Sequence, residues 1–323
     1  MNNIKFSIIV PFQYYSKNID LLLDSIQKNK TKNIKEVIFI CDENINIKSK
    51  KYNFSIKIII SNALPSEKRN LGVNEACGNY LIFIDDDAFP NEQWIMNIEN
   101  SINKNYEIVG GPGILPKKHN FFQKLVYIIL ISKFFTFVSN RYFPEKIKIV
   151  NEWPSMNFII KKKLFIEIGG FDNRYWPGED SELCLKLNNL GKSIYYNPNI
   201  IVFHNPRSNI YSYTRQIFRY GLHRARLLVN NFKIRDLFYL FPLLNIIALL
   251  LIILFFQYFM IFIALFYAFI IFIAITEIKI KSKYSFIFII PALLIVPLNH
   301  LTYSIGIIIG CFIPKKAFSK KGR

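Results

Sequence analysis

Residues 80–87 read YLIFIDDD, a run of five mostly apolar residues that leads into three consecutive carboxylates. A continuous apolar run of this length is typical of a strand that is buried on both faces of a sheet. Three adjacent carboxylates repel one another, so the arrangement is costly unless a cation lies among them. Because ligands bind at the carboxyl ends of strands in open α/β sheets, the stretch predicts a metal site at a strand end. The alternative is an acidic turn in water.

The rest of the N-terminal half alternates short apolar runs with segments of helical periodicity. Strands are predicted at 6–11, 36–41, 56–60, 80–84 and 107–110, and helices at about 18–29, 66–76 and 91–102. This alternation predicts an α/β domain with a doubly wound, mostly parallel sheet. Asp42 directly follows the second strand, and Asp85 directly follows the fourth. Acidic residues at these strand ends are expected of a crevice for a nucleotide-type ligand.

The C-terminal quarter is apolar enough to predict an α-helical membrane domain. The chain is 52% hydrophobic with a mean hydropathy of +0.23, and positions 237–276 and 284–313 carry no Asp, Glu, Lys or Arg. Since a helix needs roughly 20 apolar residues to span a bilayer, spans are predicted at about 237–256 and 258–276. Prolines and polar residues interrupt 284–313 near its middle, so this segment is predicted to re-enter the membrane as two half-helices. One long tilted span is the alternative.

The net charge is +19, from 41 Lys and Arg against 22 Asp and Glu. Basic chains bind nucleic acid or anionic lipid, and the apolar segments favour lipid, at about 1 kcal/mol per well-placed cation. Basic residues at 279–283 and 315–323 assign both stretches to the cytoplasmic face, because positive charge is retained on that side. The four cysteines form no CxxC pair, so neither a disulfide nor a zinc site is predicted.

Two further segments are predicted to lie at the membrane surface. Residues 121–138 are too short to span and are predicted as an interfacial helix, with a buried core helix as the alternative. Residues 211–230 form a basic, aromatic helix that leads into the membrane segments. We interpret it as a juxtamembrane helix, and the alternative is an RNA-binding helix.

Five motifs over about residues 4–205 resemble those of family 2 glycosyltransferases of the GT-A fold. They are SIIVP at 7–11, RNLG at 69–72, FIDDD at 83–87, GGFD at 169–172 and GEDSEL at 178–183. The chain departs from the family at 41–44, which reads CDEN instead of an Asp-rich run. The resemblance implies a Rossmann-like GT-A catalytic domain at 1–206. The basic helix is then predicted at 207–236 and the membrane domain at 237–323.

The same resemblance implies a metal and donor site after the fourth strand. Asp85 would contact the sugar or ribose and bind the metal, Asp86 would assist, and Asp87 would be a metal ligand. Carboxylate oxygens suit Mg²⁺ or Mn²⁺. His204 follows a predicted strand and is either a further metal ligand or a core histidine, and we favour the core histidine.

Further donor contacts are implied at other strand and helix ends. Pro11 and Phe12 would seat the nucleotide base, Asp42 would act as a base or ribose contact, and Arg69 would lie near the donor.

The implied reaction is an inverting single displacement on an acceptor hydroxyl. Asp180 would be its general base, because a helix N-terminus favours an ionised carboxylate. The structural alternative for Asp180 is an N-cap of that helix, and the two roles are compatible. Glu179 would support the acceptor or the helix geometry.

Together these features predict a multi-pass membrane protein with a cytoplasmic, metal-dependent hexosyltransferase domain. Its donor would be a nucleotide sugar, and its acceptor a lipid-linked glycan or polyprenyl phosphate in cell-surface glycan synthesis. Membrane lipids are expected as partners and nucleic acid is not. The competing hypothesis is a non-enzymatic basic membrane protein that scaffolds a glycan assembly complex or binds nucleic acid.

Overall fold

The computed structural model describes residues 4–29, 31–45, 47, 52–136, 139–175, 178–231, 237, 239–255, 260–282 and 284–313. The chain forms two compact units: a first unit of residues 1–116 and 143–205, and a second unit of residues 117–142 and 206–323. The sequence predicts a continuous first domain at 1–206. In the structure, residues 117–142 belong instead with the C-terminal helices.

The first unit is a mixed α/β fold around a large sheet. Its strands are β1 (Phe6–Pro11), β2 (Ile34–Cys41), β3 (Ser55–Ile60), β4 (Tyr80–Ile84), β5 (Ala88–Pro90), β6 (Ile108–Gly110), β7 (Gly113–Ile114), β8 (Lys148–Val150), β9 (Asn157–Lys161), β10 (Ile194–Tyr196) and β11 (Val202–His204). Eight of them form a sheet in the order β3-β2-β1-β4-β9-β6-β10-β8, and β5, β11 and β7 form a second sheet. Only β9 and β8 run antiparallel to their neighbours in the large sheet. The predicted mostly parallel sheet is confirmed.

Helices pack against the large sheet and bury both of its faces. The first six helices of the chain are α1 (Lys17–Gln27), α2 (Pro65–Asn74), α3 (Trp94–Ile102), α4 (Phe121–Leu130), α5 (Lys162–Glu167) and α6 (Glu179–Asn189), of which α4 lies in the second unit. Along β4, Ile82 and Ile84 join one hydrophobic cluster while Leu81 and Phe83 join another. Since successive strand residues point to opposite faces, both faces of β4 are buried, which explains its unbroken apolar sequence.

A buried carboxylate connects three strands of the large sheet. Glu36 on β2 is 2% exposed. It accepts hydrogen bonds from Ser7 Oγ and the Cys77 N–H, both at 2.6 Å, and it pairs with Lys57 Nζ at 2.7 Å. Burial raises the pKa of Glu36, but these donors outweigh burial and hold the pKa below its usual value. The stability that this contributes is present above the unfolded pKa of about 4.3 and is lost as the pH falls through the lower folded value.

Replacing Glu36 with Gln should lower the free energy of unfolding by about 2 to 3 kcal/mol, because hydrogen bonds to a charged group are lost. Urea unfolding at pH 7, followed by tryptophan fluorescence, measures this effect, since all three tryptophans lie in the first unit. Glu92→Gln is the matched control: Glu92 is 4.0 Å from Lys28 and both side chains are mostly exposed, so a change within about 0.5 kcal/mol is expected. Equal stability of the two variants would contradict this role of Glu36.

The second unit is helical. Besides α4 it contains α7 (Ile210–Asn231), α8 (Phe241–Phe255), α9 (Met260–Ser282), α10 (Phe286–Leu293) and α11 (Ile295–Phe312). In α4, Val126, Ile128 and Ile129 are at most 1% exposed and pack with residues of the other helices, such as Ile278 and Ile289. Their burial by protein contradicts the interfacial helix predicted at 121–138 and matches the core-helix alternative. Positions 137 and 138 lie outside the described residues.

The segment predicted to re-enter the membrane is one helix. Leu294, between α10 and α11, keeps helical dihedral angles (φ −66°, ψ −19°), so the chain does not reverse there. The continuous helix contradicts the two half-helices, and the alternative of one long tilted span stays a prediction. Within the described part of the chain, Phe286–Phe312 is the one helix long and apolar enough to cross a membrane. The spans at 237–256 and 258–276 stay predictions, because both include positions outside the described residues.

Helix α7 packs along α11 through glycines. A Cβ on Gly221 would lie 2.2 Å from the carbonyl oxygen of Tyr303, and one on Gly306 would lie 2.3 Å from that of Phe218. A Cβ on Gly310 would meet the Ala225 side chain at 2.6 Å. Gly221 lies against Gly306, and one turn later on both helices Ala225 lies against Gly310, so α7 and α11 run parallel with their backbones in contact.

Candidate active site

The three carboxylates after β4 lie in a tight turn that leads into β5. The Ala88 N–H donates to the Asp85 carbonyl at 3.1 Å and closes the turn. Strand β5 then pairs antiparallel with β11, which places Ala88 opposite His204. As a result, His204 Nε2 lies 3.2 Å from Asp87 Oδ1.

This turn and β11 bring Asp85 and Asp87, which are predicted as metal ligands, together with His204, for which a core histidine is favoured over a ligand. One ligand atom from each of Asp85, Asp87 and His204 lies within 4.8 Å of the other two, and all three residues are half-buried. Two carboxylates and an imidazole form a donor set that suits a divalent cation such as Mn²⁺, and carboxylates alone suit Mg²⁺. Asp86 occupies the middle of the turn and lies outside this group. The residues fit a metal, and their role as ligands stays a prediction.

Arg69 connects the acidic turn to α6. Its Nη2 donates to Asp85 Oδ1 and its Nη1 to Glu179 Oε1, both at 2.9 Å, and its side chain is 6% exposed. Glu179 is also buried, and its second oxygen accepts from the Gly178 N–H at 3.0 Å. A guanidinium suits this position because its planar fork can serve two carboxylates at once. The structure thus joins two motifs that lie 110 residues apart in the sequence.

Asp180 lies in the first turn of α6, beside this ion pair. The N-cap of α6 is Gly178, with φ 126°, so the N-cap alternative for Asp180 is wrong. The backbone N–H of Ser155 donates to the Asp180 carboxylate, while Oδ1 is buried and accepts no hydrogen bond from the described residues. Burial first, and the Glu179 charge second, raise the pKa of Asp180 to about 7. A general base works best with a pKa near the operating pH, so this carboxylate is suited to that task.

A buried lysine organises the ends of β1 and β2. Lys68 Nζ donates to the Asp42 carboxylate and to the Phe12 carbonyl, and its side chain is 2% exposed. Pro11 ends β1 opposite Ile40. The Phe12 ring is buried, and its centroid lies 5.7 Å from that of Phe39. That Pro11 and Phe12 seat the nucleotide base stays a prediction.

No role is predicted for Lys68 from the sequence, although this residue directly precedes the RNLG motif at 69–72. A lone lysine at the start of a predicted helix is usually solvated. Its burial becomes visible only when α2 is placed against β1 and β2.

Two solved structures resemble this chain at low identity. They are GalNAc-T7, crystallised with UDP, GalNAc and Mn²⁺ (TM-score 0.49, 14% identity, 72% of this chain and 52% of that one), and S. aureus TarS (TM-score 0.45, 16% identity, 71% and 41%).

Three relatives match by sequence. An uncharacterized glycosyltransferase of Haemophilus influenzae is 28% identical over 56% of this chain and 61% of its own length. A pre-mycofactocin glycosyltransferase of Mycobacterium tuberculosis is 24% identical over 52% and 35%. A glucosyl-dolichyl phosphate glucuronosyltransferase of Haloferax volcanii is 24% identical over 43% and 47%. The chain therefore spans about half the length of the relatives it matches.

The model of the glycosyl transferase family group 2 matches residues 80–277, which is more than half of the chain. The match begins at β4 and includes the acidic turn, Glu179, Asp180 and His204. The chain belongs to the glycosyl transferase family group 2.

Proposed function

We propose that the protein is a membrane-associated, metal-dependent glycosyltransferase. It moves a hexose with inversion from a nucleotide sugar to a lipid-linked glycan or polyprenyl phosphate. The observation that carries this proposal is the convergence of three motifs on one site. Asp85 and Asp87 lie close to His204, and Arg69 connects Asp85 to Glu179 of α6.

Each side chain has a distinct task in the proposed reaction. Asp85, Asp87 and His204 would hold Mg²⁺ or Mn²⁺, and the ion would offset the negative charge that develops on the leaving diphosphate. Asp180 accepts the proton of the acceptor hydroxyl as that oxygen attacks the anomeric carbon. Arg69 fixes Asp85 and Glu179 in place. A phosphate acceptor is already ionised when it binds, so Asp180 would contribute less to the rate of transfer to it.

Charge distribution supports a membrane location for the second unit. Its positions, 117–142 and 206–323, contain 20 Lys and Arg but only two acids, Asp236 and Glu277. The first unit therefore carries almost none of the net charge of +19. A unit that combines this excess with apolar helices suits anionic lipid better than nucleic acid, because cations near a lipid surface add to the burial of apolar residues. One relative is named for a dolichyl phosphate-linked acceptor, which supports a lipid-linked acceptor here.

A transfer screen in detergent tests the proposal. The purified chain is incubated with UDP-, GDP- and dTDP-sugars and membrane lipid extract, with Mn²⁺, with Mg²⁺, or with excess EDTA. We expect nucleotide release that depends on the lipid extract, falls to background in EDTA and returns when the metal is restored, because the cation would neutralise the leaving group. Release that is unchanged by EDTA would rule out metal dependence, and no release from any donor would contradict the transferase itself.

A further inference from the structure

An apolar cavity of about 360 Å³ lies among the helices of the second unit. Among the described residues its lining is apolar and comes from α7, from α8 and the residue before it, and from α11, with Leu228, Leu240, Leu243, Ile307, Cys311 and Phe312 among the lining residues. Cys311 is exposed and Phe312 is 83% exposed, so the cavity opens to the surroundings. A volume of this size falls in the range of ligand pockets.

The parallel packing of α7 and α11 accounts for the position of this cavity. Gly221, Gly306 and Gly310 hold the two backbones in contact up to Ala225. Beyond that point Leu228 on α7 and Cys311 on α11 both line the cavity. Leu243 of α8 closes one side of the space that results.

A cation lies at the edge of the apolar lining. Arg224 is one helical turn before Leu228 on the same side of α7, because residues four apart are neighbours on a helix. Its guanidinium carbon lies 3.7 Å from the ring centroid of Tyr239, the residue directly before Leu240. A hydrocarbon-lined space with an arginine at its edge is complementary to a lipid that bears a phosphate, since Arg binds phosphate bidentately.

We propose that this cavity binds the hydrocarbon chain of a lipid phosphate, and that Arg224 contacts its phosphate. The identification of this lipid as the acceptor rests on the proposed function. The binding site itself needs neither donor nor metal, so the two proposals can fail separately.

Alkylation of Cys311 reports on occupancy of the cavity. In a Cys77→Ser background Cys311 is the only exposed cysteine, since Cys41 and Cys184 are buried. The full chain is placed in phosphatidylcholine nanodiscs and treated with a maleimide, with farnesyl phosphate, farnesol or no addition. At a concentration of farnesyl phosphate ten times its Kd, we expect alkylation to slow about tenfold, because only the free fraction reacts. Farnesol should protect far less.

Two variants test the residues that form the site. Leu243→Trp should fill the cavity and abolish protection by farnesyl phosphate. Leu254→Trp, the same change at a 65% exposed position of α8, should leave protection intact. Arg224→Gln should reduce protection by farnesyl phosphate to the level given by farnesol.

Three outcomes would overturn the proposal: no protection by farnesyl phosphate, equal protection by farnesol, or full protection in Leu243→Trp. Nucleotide release from the transfer screen is measured on the same samples. Protection without transfer under any condition rejects the proposed function alone. Transfer to lipid without protection of Cys311 rejects the lipid site alone.

Discussion

Replacing Asp180 with Asn is expected to lower the rate of sugar transfer by about 10²- to 10⁴-fold, the usual contribution of a general base. The amide is nearly the same size as the carboxylate and can still accept the hydrogen bond from Ser155, so the fold should persist. It cannot take a proton from the acceptor hydroxyl. Nucleotide-sugar binding, measured by calorimetry, should therefore stay close to that of the unchanged chain, because the loss falls on the transition state.

The pH dependence of the unchanged chain provides a second readout of the same residue. The pKa of Asp180 is raised to about 7, so the carboxylate becomes protonated as the pH falls below that value. We expect kcat/KM to fall about tenfold per pH unit below pH 7, a limb that Asp180→Asn should lack. Asp24→Asn, on α1, is the control and should leave both rate and pH profile unaltered. Near-normal turnover of Asp180→Asn would rule out the base.

Removing Arg69 should cost both stability and activity. Arg69→Leu leaves Asp85 and the buried Glu179 without their shared cation, and breaking a buried ion pair in this way costs about 3 to 5 kcal/mol. The Arg69 charge also lowers the pKa of Asp180, so its loss should move the acid limb of the rate profile to higher pH. Chemical unfolding followed by tryptophan fluorescence, together with the pH profile of any remaining activity, measures the two effects.

Arg69→Lys is the matched variant for this prediction. Its single ammonium group keeps the positive charge but cannot donate to both carboxylates at the observed distances. We expect intermediate stability and a smaller shift of the acid limb. If Arg69→Leu unfolded like the unchanged chain and kept its pH profile, the proposed link between the acidic turn and α6 would be refuted.

The large sheet was predictable because its central strands are buried on both faces. The sequence of β4 has no polar residue between Tyr80 and Ile84, and the structure shows that each face meets a separate hydrophobic cluster. The location of the acids that follow β4 was predictable for the same reason, because the carboxyl ends of strands in such sheets face the ligand crevice.

The contacts between distant segments were not predictable in this way. His204 reaches Asp87 only because β11 pairs with β5 in a separate three-stranded sheet, and β5 is too short to leave a sequence signal. Likewise, α4 has the composition of an interfacial helix, but packing with residues such as Ile289 buries its apolar side. The parallel contact between α7 and α11 depends on glycines more than 80 residues apart, which periodicity alone does not connect.

Binding of Mn²⁺, followed by electron paramagnetic resonance, tests the central claim most directly. The full chain is titrated in detergent in the presence of UDP, GDP or dTDP, beside the variants Asp87→Asn and His204→Ala. We predict one bound ion per chain with the matching nucleotide, weaker binding in His204→Ala and loss of binding in Asp87→Asn, because these residues supply its ligands. Equal Mn²⁺ affinity in all three proteins would contradict a metal site formed by the acidic turn and β11.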